Sequence, residues 1–296
     1  MMKTFWIICS IVGGGLLWFY NRLPQNELVT LAENFLPWFG LISIFFILLL
    51  FKYHRDKSAA LLLIYPLVSI VMFAPALFPV SKITDKNAVK LVTVNIDADN
   101  KTVDKALQNI LAQDADLVGI EEISDSTLQN ITNTMNANYP YNHIFGSVGL
   151  WSKYPITESD RADMPMNEGR VLTANVALPQ GNTQVYVSHM GSYRPYMHAQ
   201  RDIMLNQIAQ VMKSDPNKKA IIMGDFNAST YDSHFQQVRK TWAETQSTKF
   251  GPNFTWPSNF PVTKIDHVLY KGFNKGTSQT FVVSGSDHRG ISAQVD

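Results

Sequence analysis

The sequence predicts an α/β fold with two packed β-sheets flanked by helices, preceded by about three transmembrane helices. Short apolar runs typical of strands alternate with amphipathic helix patterns between residues 88 and 296. These strands outnumber the helices, and many are joined by short turns, which favours two sheets packed face to face. Three charge-free segments precede this part of the chain. The chain therefore divides into an anchor region, residues 1–80, and a C-terminal domain, residues 88–296.

The three charge-free segments lie near residues 5–20, 35–51 and 58–80. At about 1.5 Å per residue they reach roughly 24 to 34 Å, close to the thickness of a bilayer core. Lys3 gives the first segment a weakly basic start, as in a signal peptide, but no small-residue cleavage pattern follows it. Buried core helices are the alternative. Three such segments in close succession favour membrane helices.

The charges between these segments predict the orientation in the membrane. Residues 52–57 form a basic cluster, which predicts a cytoplasmic loop, whereas residues 21–34 carry one Arg and two Glu. The third helix then runs outward. Residues 88–296 are expected outside the cytoplasm, in the periplasm or the exterior, as part of a multi-pass protein of the cell membrane. Residues 81–87 predict a short polar linker.

The charge balance gives no argument for a general nucleic-acid binder with a basic face. The chain has 25 Lys and Arg against 24 Asp and Glu, and residues 81–296 hold 20 basic and 21 acidic side chains. A nuclease stays open, because a local groove and a bound cation suffice for that activity. Cys9 is the only cysteine, which excludes an internal disulfide.

Helix and strand patterns alternate along residues 88–296. Apolar residues three or four positions apart predict helices over 101–113, 124–138 and 195–212, and Pro195 suits a first helical turn. The strand candidates are bounded by turn residues. They span 89–95, 117–121, 149–152, 170–178, 184–189, 220–224, 265–270, 281–284 and 291–295.

Two motifs at predicted strand ends carry catalytic chemistry. Gly224-Asp225-Phe226-Asn227 comes directly after an apolar run, and Ser286-Asp287-His288 precedes another strand. Metal-assisted phosphoester hydrolysis needs an acid, an amide and an imidazole in this kind of position. Oxygen ligands hold a divalent ion, an amide binds a phosphoryl oxygen, and a histidine lies by the reacting atoms. An ordinary Asx turn is the alternative for Asp225 and Asn227.

Other predicted strands carry polar residues at one end. These residues are Asn95, Glu121 with Glu122, His189 and Asp266. In this order the motifs resemble the endonuclease/exonuclease/phosphatase superfamily, in its membrane-attached bacterial type. Pancreatic-type deoxyribonucleases, abasic-site endonucleases, neutral sphingomyelinases and inositol phosphatases share its fold. The resemblance covers about residues 88–296 and implies a four-layer α/β/β/α sandwich with the site where strand ends meet.

The resemblance implies a site for a divalent metal, Mg²⁺ or alternatively Mn²⁺ or Ca²⁺. Glu122 takes the glutamate position of the family's Leu-Gln-Glu pattern, and Glu121 stands where glutamine is usual. Asn95 is expected to contact the metal or its water, and Asp287 is a second ligand candidate. Capping of the helix that begins near Ser124 is the alternative for both glutamates.

The resemblance also implies the catalytic residues. Asp225 aligns or deprotonates the attacking water or binds the metal, and Asn227 donates to a phosphoryl oxygen. His288 contacts the scissile phosphate as acid or base. Asp266 orients the His288 ring, so we expect these two side chains within hydrogen-bond reach. His189 stabilises the developing charge or assists the leaving group, with a purely structural histidine as the alternative.

Three further positions bear on the substrate. Arg170 resembles a family arginine near the phosphate, with a surface salt-bridge partner as the alternative, and Tyr193 is a candidate for lining the substrate groove. Some deoxyribonucleases pair the histidine at the His189 position with a carboxylate. Lys153 stands at that position here, which argues against a two-histidine mechanism. We interpret Trp256 as a packing residue.

The sequence thus predicts a membrane-anchored, divalent-metal-dependent phosphodiesterase, with a nuclease as the leading subclass. A phospholipase C or sphingomyelinase-like lipid phosphodiesterase is the alternative enzyme, and a catalytically inactive binding domain is the alternative of another class. An inositol phosphatase fits less well, because that group's Trp-x-Gly-Asp-x-Asn-x-Arg pattern is absent: Met223 precedes Gly224, and Ala228-Ser229 follow Asn227. The expected partners are a nucleic acid or lipid head group and the bilayer, and nothing indicates an oligomer.

Overall fold

Alternating and continuous apolar runs in the C-terminal part of the chain form two β-sheets that pack face to face. The computed structural model describes residues 27–35, 38, 42, 48, 76–165, 170–192 and 197–296. Two compact units are present: Met1–Phe78 with Tyr231–Ser233, and Pro79–Thr230 with His234–Asp296. The first unit contains helix α1, Glu27–Asn34. All elements below belong to the second unit.

The second unit contains helices interspersed among a larger number of strands. The helices are α2 (Val103–Leu111), α3 (Asp125–Asn136), α4 (His198–Ser214) and α5 (Phe235–Arg239). The strands are β1 (Val89–Asn95), β2 (Leu117–Glu121), β3 (Tyr141–Phe145), β4 (Val148–Ser152), β5 (Ile156–Arg161), β6 (Val171–Leu178), β7 (Gly181–His189), β8 (Ala220–Asp225), β9 (Ala243–Glu244), β10 (Gln246–Ser247), β11 (Asp266–Lys271), β12 (Gly276–Val282) and β13 (Arg289–Val295).

The strands of the described residues form two mixed sheets. The first sheet has the order β10-β12-β13-β1-β2-β4-β3, and the second sheet has the order β5-β6-β7-β8-β11-β9. Strands β1 and β2 are parallel in the first sheet, as are β7 and β8 in the second. Strands β1, β2 and β8 are almost continuously buried, and β7 is buried in its second half, because both faces of each sheet are covered.

Three apolar clusters define the layers of the sandwich. One cluster lies between the sheets and includes Leu91 and Leu117 from the first sheet and Ile221 from the second. Helices α2 and α3 cover the outer face of the first sheet, with Leu107 among the side chains that they bury there. Helices α4 and α5 cover the outer face of the second sheet, where Leu205 is buried. The predicted two-sheet sandwich flanked by helices is therefore present.

The topology brings the predicted functional residues to one edge of the sandwich. Asn95 pairs with Glu121 where the parallel strands β1 and β2 end. In the second sheet His189 pairs with Asp225 where β7 and β8 end, and Asp225 in turn pairs with Asp266 at the start of the antiparallel strand β11. Carboxyl ends of parallel strands and amino ends of antiparallel neighbours thus meet at the same edge, and loops from both sheets converge there.

Most predicted elements agree with the structure to within a few residues, and one strand is misplaced. The prediction of a strand over 281–284 is wrong in its bounds, because β12 spans Gly276–Val282. Helix α4 begins at His198, three residues after the predicted start at Pro195. Pro195 itself lies outside the described residues. The elements that the sequence analysis did not predict are β3, β5, β9, β10, α5 and, within the loop expected over residues 21–34, α1.

The predicted membrane helices near residues 5–20, 35–51 and 58–80 lie almost entirely outside the described residues. Among the helices that the described ranges contain, none has the length and apolarity to cross a bilayer. The second unit begins at Pro79, and the Val80 N–H donates to the Ser247 carbonyl at 2.9 Å. Residues 81–87, predicted as a linker, therefore belong to the same unit as the sheets.

Candidate active site

A buried aspartate and histidine form a hydrogen-bonded pair at the shared edge of the sheets. His288 Nδ1 lies 3.0 Å from Asp266 Oδ2 and 3.2 Å from Asp266 Oδ1, which confirms the predicted contact. Hydroxyl groups hold both partners. Thr255 Oγ1 accepts the Asp266 N–H, while Ser286 Oγ accepts the His288 N–H and donates to the Asn95 carbonyl. The pair is therefore fixed to the ends of both sheets.

The carboxylates around His288 keep its imidazole protonated. Burial acts to lower the pKa of His288, but attraction from Asp266 and Asp225 outweighs it and raises the pKa to about 10. His288 Nε2 lies 3.8 Å from Asp225 Oδ2. At neutral pH the ring is thus an imidazolium whose far nitrogen faces the second aspartate.

Asp225 is almost completely buried, and amide groups orient its carboxylate. The Asn227 backbone N–H donates to Oδ1 at 2.7 Å, which is an Asx turn. The side-chain amides of Asn227 and Asn95 both donate to Oδ2 at 3.1 Å. Burial raises the pKa of Asp225 to about 7, partly offset by His288. The Asx turn and the placement in the site, which the sequence left as alternatives, occur together.

Asn227 already uses both hydrogens of its side-chain amide. One is donated to Asp225 and the other to the Met190 carbonyl at 3.1 Å. The role predicted for Asn227, donation to a phosphoryl oxygen, therefore requires one of these bonds to be exchanged. In the structure Asn227 orients Asp225.

Gly224 explains how Asp225 reaches this position. Its φ of +143° is one that side-chain-bearing residues avoid. A Cβ there would collide with the Ser188 carbonyl of the neighbouring strand β7. Strands β7 and β8 therefore approach closely only because residue 224 is glycine.

Glu122 and His189 form a second acid–imidazole contact next to Asp225, with His189 Nε2 4.0 Å from Asp225 Oδ2. Glu122 follows β2 with a left-handed φ of +59°, and its Oε1 lies 3.4 Å from His189 Nε2. Burial acts to raise the pKa of Glu122, but hydrogen bonds from Asn95 and the Ala98 N–H, together with His189, outweigh it and lower the pKa. The side chain is about one third exposed, at 31%. Glu122 is thus an ionised carboxylate that solvent can reach.

Burial keeps His189 neutral. Desolvation lowers the pKa of His189 to about 4, against the opposing attraction of Glu122. Its Nδ1 is buried and has no hydrogen-bond partner among the described residues. Lys153, at the position where some deoxyribonucleases have a carboxylate, instead binds Asp114 at 2.6 Å. The structure therefore gives His189 no acid partner on that nitrogen.

Glu121 points into the interior, away from solvent. Its Oε1 accepts a hydrogen bond from the Thr93 hydroxyl at 2.7 Å, and its Oε2 is buried with no partner among the described residues. Burial raises the pKa of Glu121 well above its usual value. Helix capping does not describe this residue, because its side chain is fully enclosed.

Asp287 and Trp256 form the exposed rim of the site. The Trp256 indole N–H donates to Asp287 Oδ2 at 3.0 Å, so Trp256 is more than the packing residue that the sequence suggested. Asp287 Oδ1 lies 3.9 Å from His288 Nε2, and 58% of the Asp287 side chain is exposed. Asp287 therefore stands where a ligand arriving from solvent reaches it.

The two substrate candidates are placed differently. The Arg170 carbonyl accepts the His189 N–H at 2.7 Å. The positive charge of the Arg170 side chain contributes to lowering the His189 pKa. Arg170 thus lies beside the site. Tyr193 lies outside the described residues.

Sequence reasoning missed the hydroxyl groups that hold the acidic and imidazole side chains. Thr93, Thr255 and Ser286 each form a hydrogen bond to Glu121, Asp266 or His288. Ser286 carried a local signal, because a hydroxyl two residues before His288 can accept its N–H in a turn. Thr255 is 11 residues from Asp266 and carried none.

The fold and the site define a class of protein. Ligand atoms of Asp225, Asp266 and His288 lie within 4.8 Å of one another at the edge of a two-sheet α/β sandwich. The chain belongs to the Endonuclease/Exonuclease/phosphatase family, whose model matches residues 92–288. Members of this family are metal-dependent phosphoester hydrolases.

Solved structures with the same fold have low sequence identity to this chain. A beta toxin mutant from Staphylococcus aureus with bound magnesium ions is 18% identical, with a TM-score of 0.59 and coverage of 71% of this chain and 100% of the toxin. TDP2 from D. rerio in complex with a single-strand DNA product is 16% identical, with a TM-score of 0.58 and coverage of 72% and 100%.

Sphingomyelinase C from Streptomyces griseocarneus is 12% identical, with a TM-score of 0.54 and coverage of 71% and 99%. At these identities the likeness establishes the fold. A comparison with curated proteins gives no match.

Proposed function

We propose that this protein is a membrane-anchored phosphodiesterase that depends on a divalent metal, with nucleic acid as its leading substrate class. The single observation that carries the proposal is the Asp266–His288 pair with Asp225 beside it, held by both sheets. A buried imidazolium flanked by carboxylates suits a phosphodiester, because it stabilises charge that develops on phosphoryl oxygens. The DNA-bound TDP2 structure supports a nucleic acid as substrate.

Each residue has a role that follows from its contacts. His288 binds a phosphoryl oxygen through Nε2 and can protonate a leaving oxygen, while Asp266 fixes the ring through Nδ1. Asp225, with a pKa of about 7, accepts a proton from the attacking water at neutral pH. Asn227 and Asn95 hold the Asp225 carboxylate in its orientation.

The residues around Glu122 fit a hard cation. Glu122 is ionised and reachable from solvent. Asn95 lies beside it, but its amide nitrogen donates to Glu122 and Asp225 and its amide oxygen accepts the Asp97 N–H at 3.0 Å, so this oxygen would have to exchange that bond to reach a metal. His288 is a poorer ligand, because a protonated imidazole has no free lone pair. We therefore assign the metal to Glu122 and Asn95, with Asp287 as a further candidate. A bound Mg²⁺ would polarise the phosphoryl oxygen and lower the pKa of bound water.

A lipid phosphodiesterase is the second candidate, and two exposed aromatic residues favour it. Phe250 and Phe260 are 74% and 73% exposed, and they lie on either side of Trp256 in sequence. Exposed phenylalanines in the segments that flank Trp256 in sequence can contact an apolar phase such as a lipid surface. Sphingomyelinase C has the same fold, which supports this alternative.

The membrane anchor and its orientation are also part of the proposal. Three charge-free segments before residue 81 support the anchor, and the basic cluster 52–57 supports a domain outside the cytoplasm.

The deciding experiment measures hydrolysis by the full chain in detergent micelles. DNA, RNA, sphingomyelin and bis(p-nitrophenyl) phosphate are tested with Mg²⁺, Mn²⁺, Ca²⁺ or EDTA, and His288→Ala serves as the matched inactive control. We expect metal-dependent cleavage of DNA or RNA that His288→Ala lacks. Cleavage of sphingomyelin alone would favour the lipid candidate. No cleavage of any substrate with any metal would contradict both enzymes.

A further inference from the structure

Two buried side chains hold consecutive carbonyl groups just after the Gly224–Asn227 motif. Arg201 Nη1 donates to the Asn227 carbonyl at 3.0 Å. His267 Nε2 lies 2.9 Å from the Ala228 carbonyl, and because a carbonyl oxygen can only accept, Nε2 is the donor of this bond. The two donors come from different layers, Arg201 from α4 and His267 from β11. Together they fix the chain where it leaves the second sheet.

Both donors are interior residues whose orientation is fixed by a second contact. Both Arg201 and His267 are completely buried. Each is held by a carboxylate: Arg201 by its neighbour Asp202, and His267 through Nδ1 by Glu244 Oε1 at 2.7 Å. Each side chain is therefore held at two points, by its carboxylate partner and by the carbonyl group that it binds. A residue that positions another group needs such a fixed orientation.

The segment that they hold needs such support. Asn227 has a left-handed φ of +48°, which asparagine tolerates better than most residues with a side chain but which is still less favourable than a helical or extended φ. Through its backbone N–H and its side-chain amide, Asn227 makes two of the hydrogen bonds that orient Asp225. A shift of the Asn227–Ala228 peptide would therefore rotate the Asp225 carboxylate.

We propose that Arg201 and His267 are positioning residues, which clamp the Asn227 and Ala228 carbonyls and through them orient the Asp225 carboxylate for the reaction. The inference rests on the proposed function, because the consequence of the orientation is the rate of phosphodiester hydrolysis. Neither residue touches the reacting atoms. Their effect belongs to the chemical step and leaves substrate binding unchanged.

His267 allows a test with two matched variants. Glutamine places its amide nitrogen near the position of Nε2, and asparagine places its amide nitrogen near the position of Nδ1. His267→Gln can keep the bond to the Ala228 carbonyl and lose the one to Glu244, while His267→Asn does the opposite. Both variants replace a buried imidazole with an amide, so their losses of stability are comparable.

We expect the two variants to differ in kcat. Displacement of a catalytic group by about 1 Å can lower a rate by about 100-fold. His267→Asn should lower kcat for bis(p-nitrophenyl) phosphate by roughly 30-fold or more with KM within about twofold, whereas His267→Gln should stay within about threefold of wild type. Arg201→Lys, which keeps the charge but shortens the reach to the Asn227 carbonyl, should behave like His267→Asn.

Tyr139→Phe is the control for a purely structural effect. The Tyr139 hydroxyl also donates to a buried backbone carbonyl, that of Ala115, at 3.2 Å, but in the helix layer of the first sheet. Its loss should lower the Tm and leave kcat unchanged. Equal kcat losses in His267→Asn and His267→Gln, or kcat losses that follow Tm across all four variants, would overturn the proposal.

Hydrogen–deuterium exchange separates this proposal from the proposed function. The amides of residues 226–230 should exchange faster in full-length His267→Asn and Arg201→Lys than in His267→Gln and Tyr139→Phe. If the wild type hydrolyses no phosphodiester but exchange follows this order, the clamp is present and the proposed function fails. Equal exchange rates of these amides in all variants would show that Arg201 and His267 do not fix the segment 226–230. That conclusion would not depend on whether the protein is active.

Discussion

Two histidines in this site show how single contacts decide a charge. His288 and His189 are both buried at strand ends, yet the pKa of His288 is raised to about 10 and that of His189 is lowered to about 4. Burial disfavours the charged form of both rings. For His288, attraction from Asp266 at 3.0 Å and Asp225 at 3.8 Å outweighs the effect of burial. For His189, burial outweighs the attraction of Glu122 at 3.4 Å, and repulsion from Arg170 lowers the pKa further. The site therefore holds one imidazolium and one neutral imidazole at pH 7.

Asp266→Asn tests the charge of the pair without changing its shape. The amide is isosteric with the carboxylate but carries no charge, and it can reverse the hydrogen bond to Nδ1. We expect kcat to fall by about 100-fold to 10,000-fold, by analogy with other acid–histidine pairs. Asp114→Asn, which removes an exposed carboxylate bound to Lys90 and Lys153, is the control and should keep full activity. A kcat for Asp266→Asn within threefold of wild type would remove the pair from the mechanism.

Glu122→Gln tests the assigned metal site. Replacing one ionised carboxylate by an amide weakens a site for a hard cation, so we expect Mn²⁺ affinity measured by calorimetry to fall at least about tenfold. The Tm without metal should change little, since Glu122 is partly exposed. Asp125→Asn alters an acidic side chain three positions further along and should leave Mn²⁺ affinity unchanged. Unaltered Mn²⁺ affinity in Glu122→Gln would place the metal elsewhere.

At the scale of elements, the sequence predicted the strands that are buried on both faces. Strands β2 and β8 read as apolar runs that end in an acidic residue, and β1 is apolar apart from Lys90 and Thr93 before it ends in Asn95. The predicted bounds of β1 and β2 match the structure. Strand β5 has the sequence Ile-Thr-Glu-Ser-Asp-Arg and is exposed at a sheet edge, so it lacks an apolar pattern. Strand β12 begins with the small residues Gly-Thr-Ser, which pair with β13 and are buried. A search for apolar runs does not find a strand of this composition.

A buried ion cluster ties several short elements together. Glu244 of β9 binds Lys264 at 2.5 Å and His267 of β11 at 2.7 Å, and it pairs with Arg239, the last residue of α5, at 2.7 Å. Burial acts to raise the pKa of Glu244, but Lys264 and His267 outweigh it and hold the pKa well below its ordinary value of 4.5. The carboxylate therefore contributes stability that is complete above pH 4.5.

Glu244→Gln should destabilise the domain in a pH-dependent way. Removing one partner of a buried ion pair leaves the cations uncompensated and costs about 3 kcal/mol at pH 7. Because the pKa of Glu244 is lowered on folding, its contribution is lost as pH falls below 4.5. The difference in unfolding free energy between wild type and Glu244→Gln, measured in urea, should therefore shrink between pH 5 and pH 3. A difference that stays constant over this range would contradict the assignment.

At the scale of the whole molecule, the site consists of residues that the fold alone brings together. Asn95 and Asp225 are 130 positions apart in sequence but form a hydrogen bond. Strand-end positions and the family resemblance predicted that such residues share an edge of the sandwich. The contact between Asp266 and His288 was predicted because a histidine that binds a phosphate needs a carboxylate to fix its ring. Arg201 could not be predicted as a neighbour of Asn227, because nothing in the sequence around a helical arginine indicates which distant carbonyl group it binds.

The orientation proposed for the chain in a membrane would determine which substrates the domain can meet. Residues 52–57 carry the basic cluster, and basic loops stay on the cytoplasmic side, so the segment that follows should run outward. A phosphatase reporter that folds only outside the cytoplasm, fused after Asp296, should then be active, and a fluorescent reporter that folds only in the cytoplasm should be dark. Replacing the basic residues of 52–57 by Gln or Ser should weaken this asymmetry, because they carry the positive charge of that loop. A dark phosphatase with a bright fluorescent reporter would place the site in the cytoplasm, where intracellular nucleic acids and inner-leaflet lipids become the substrates to test.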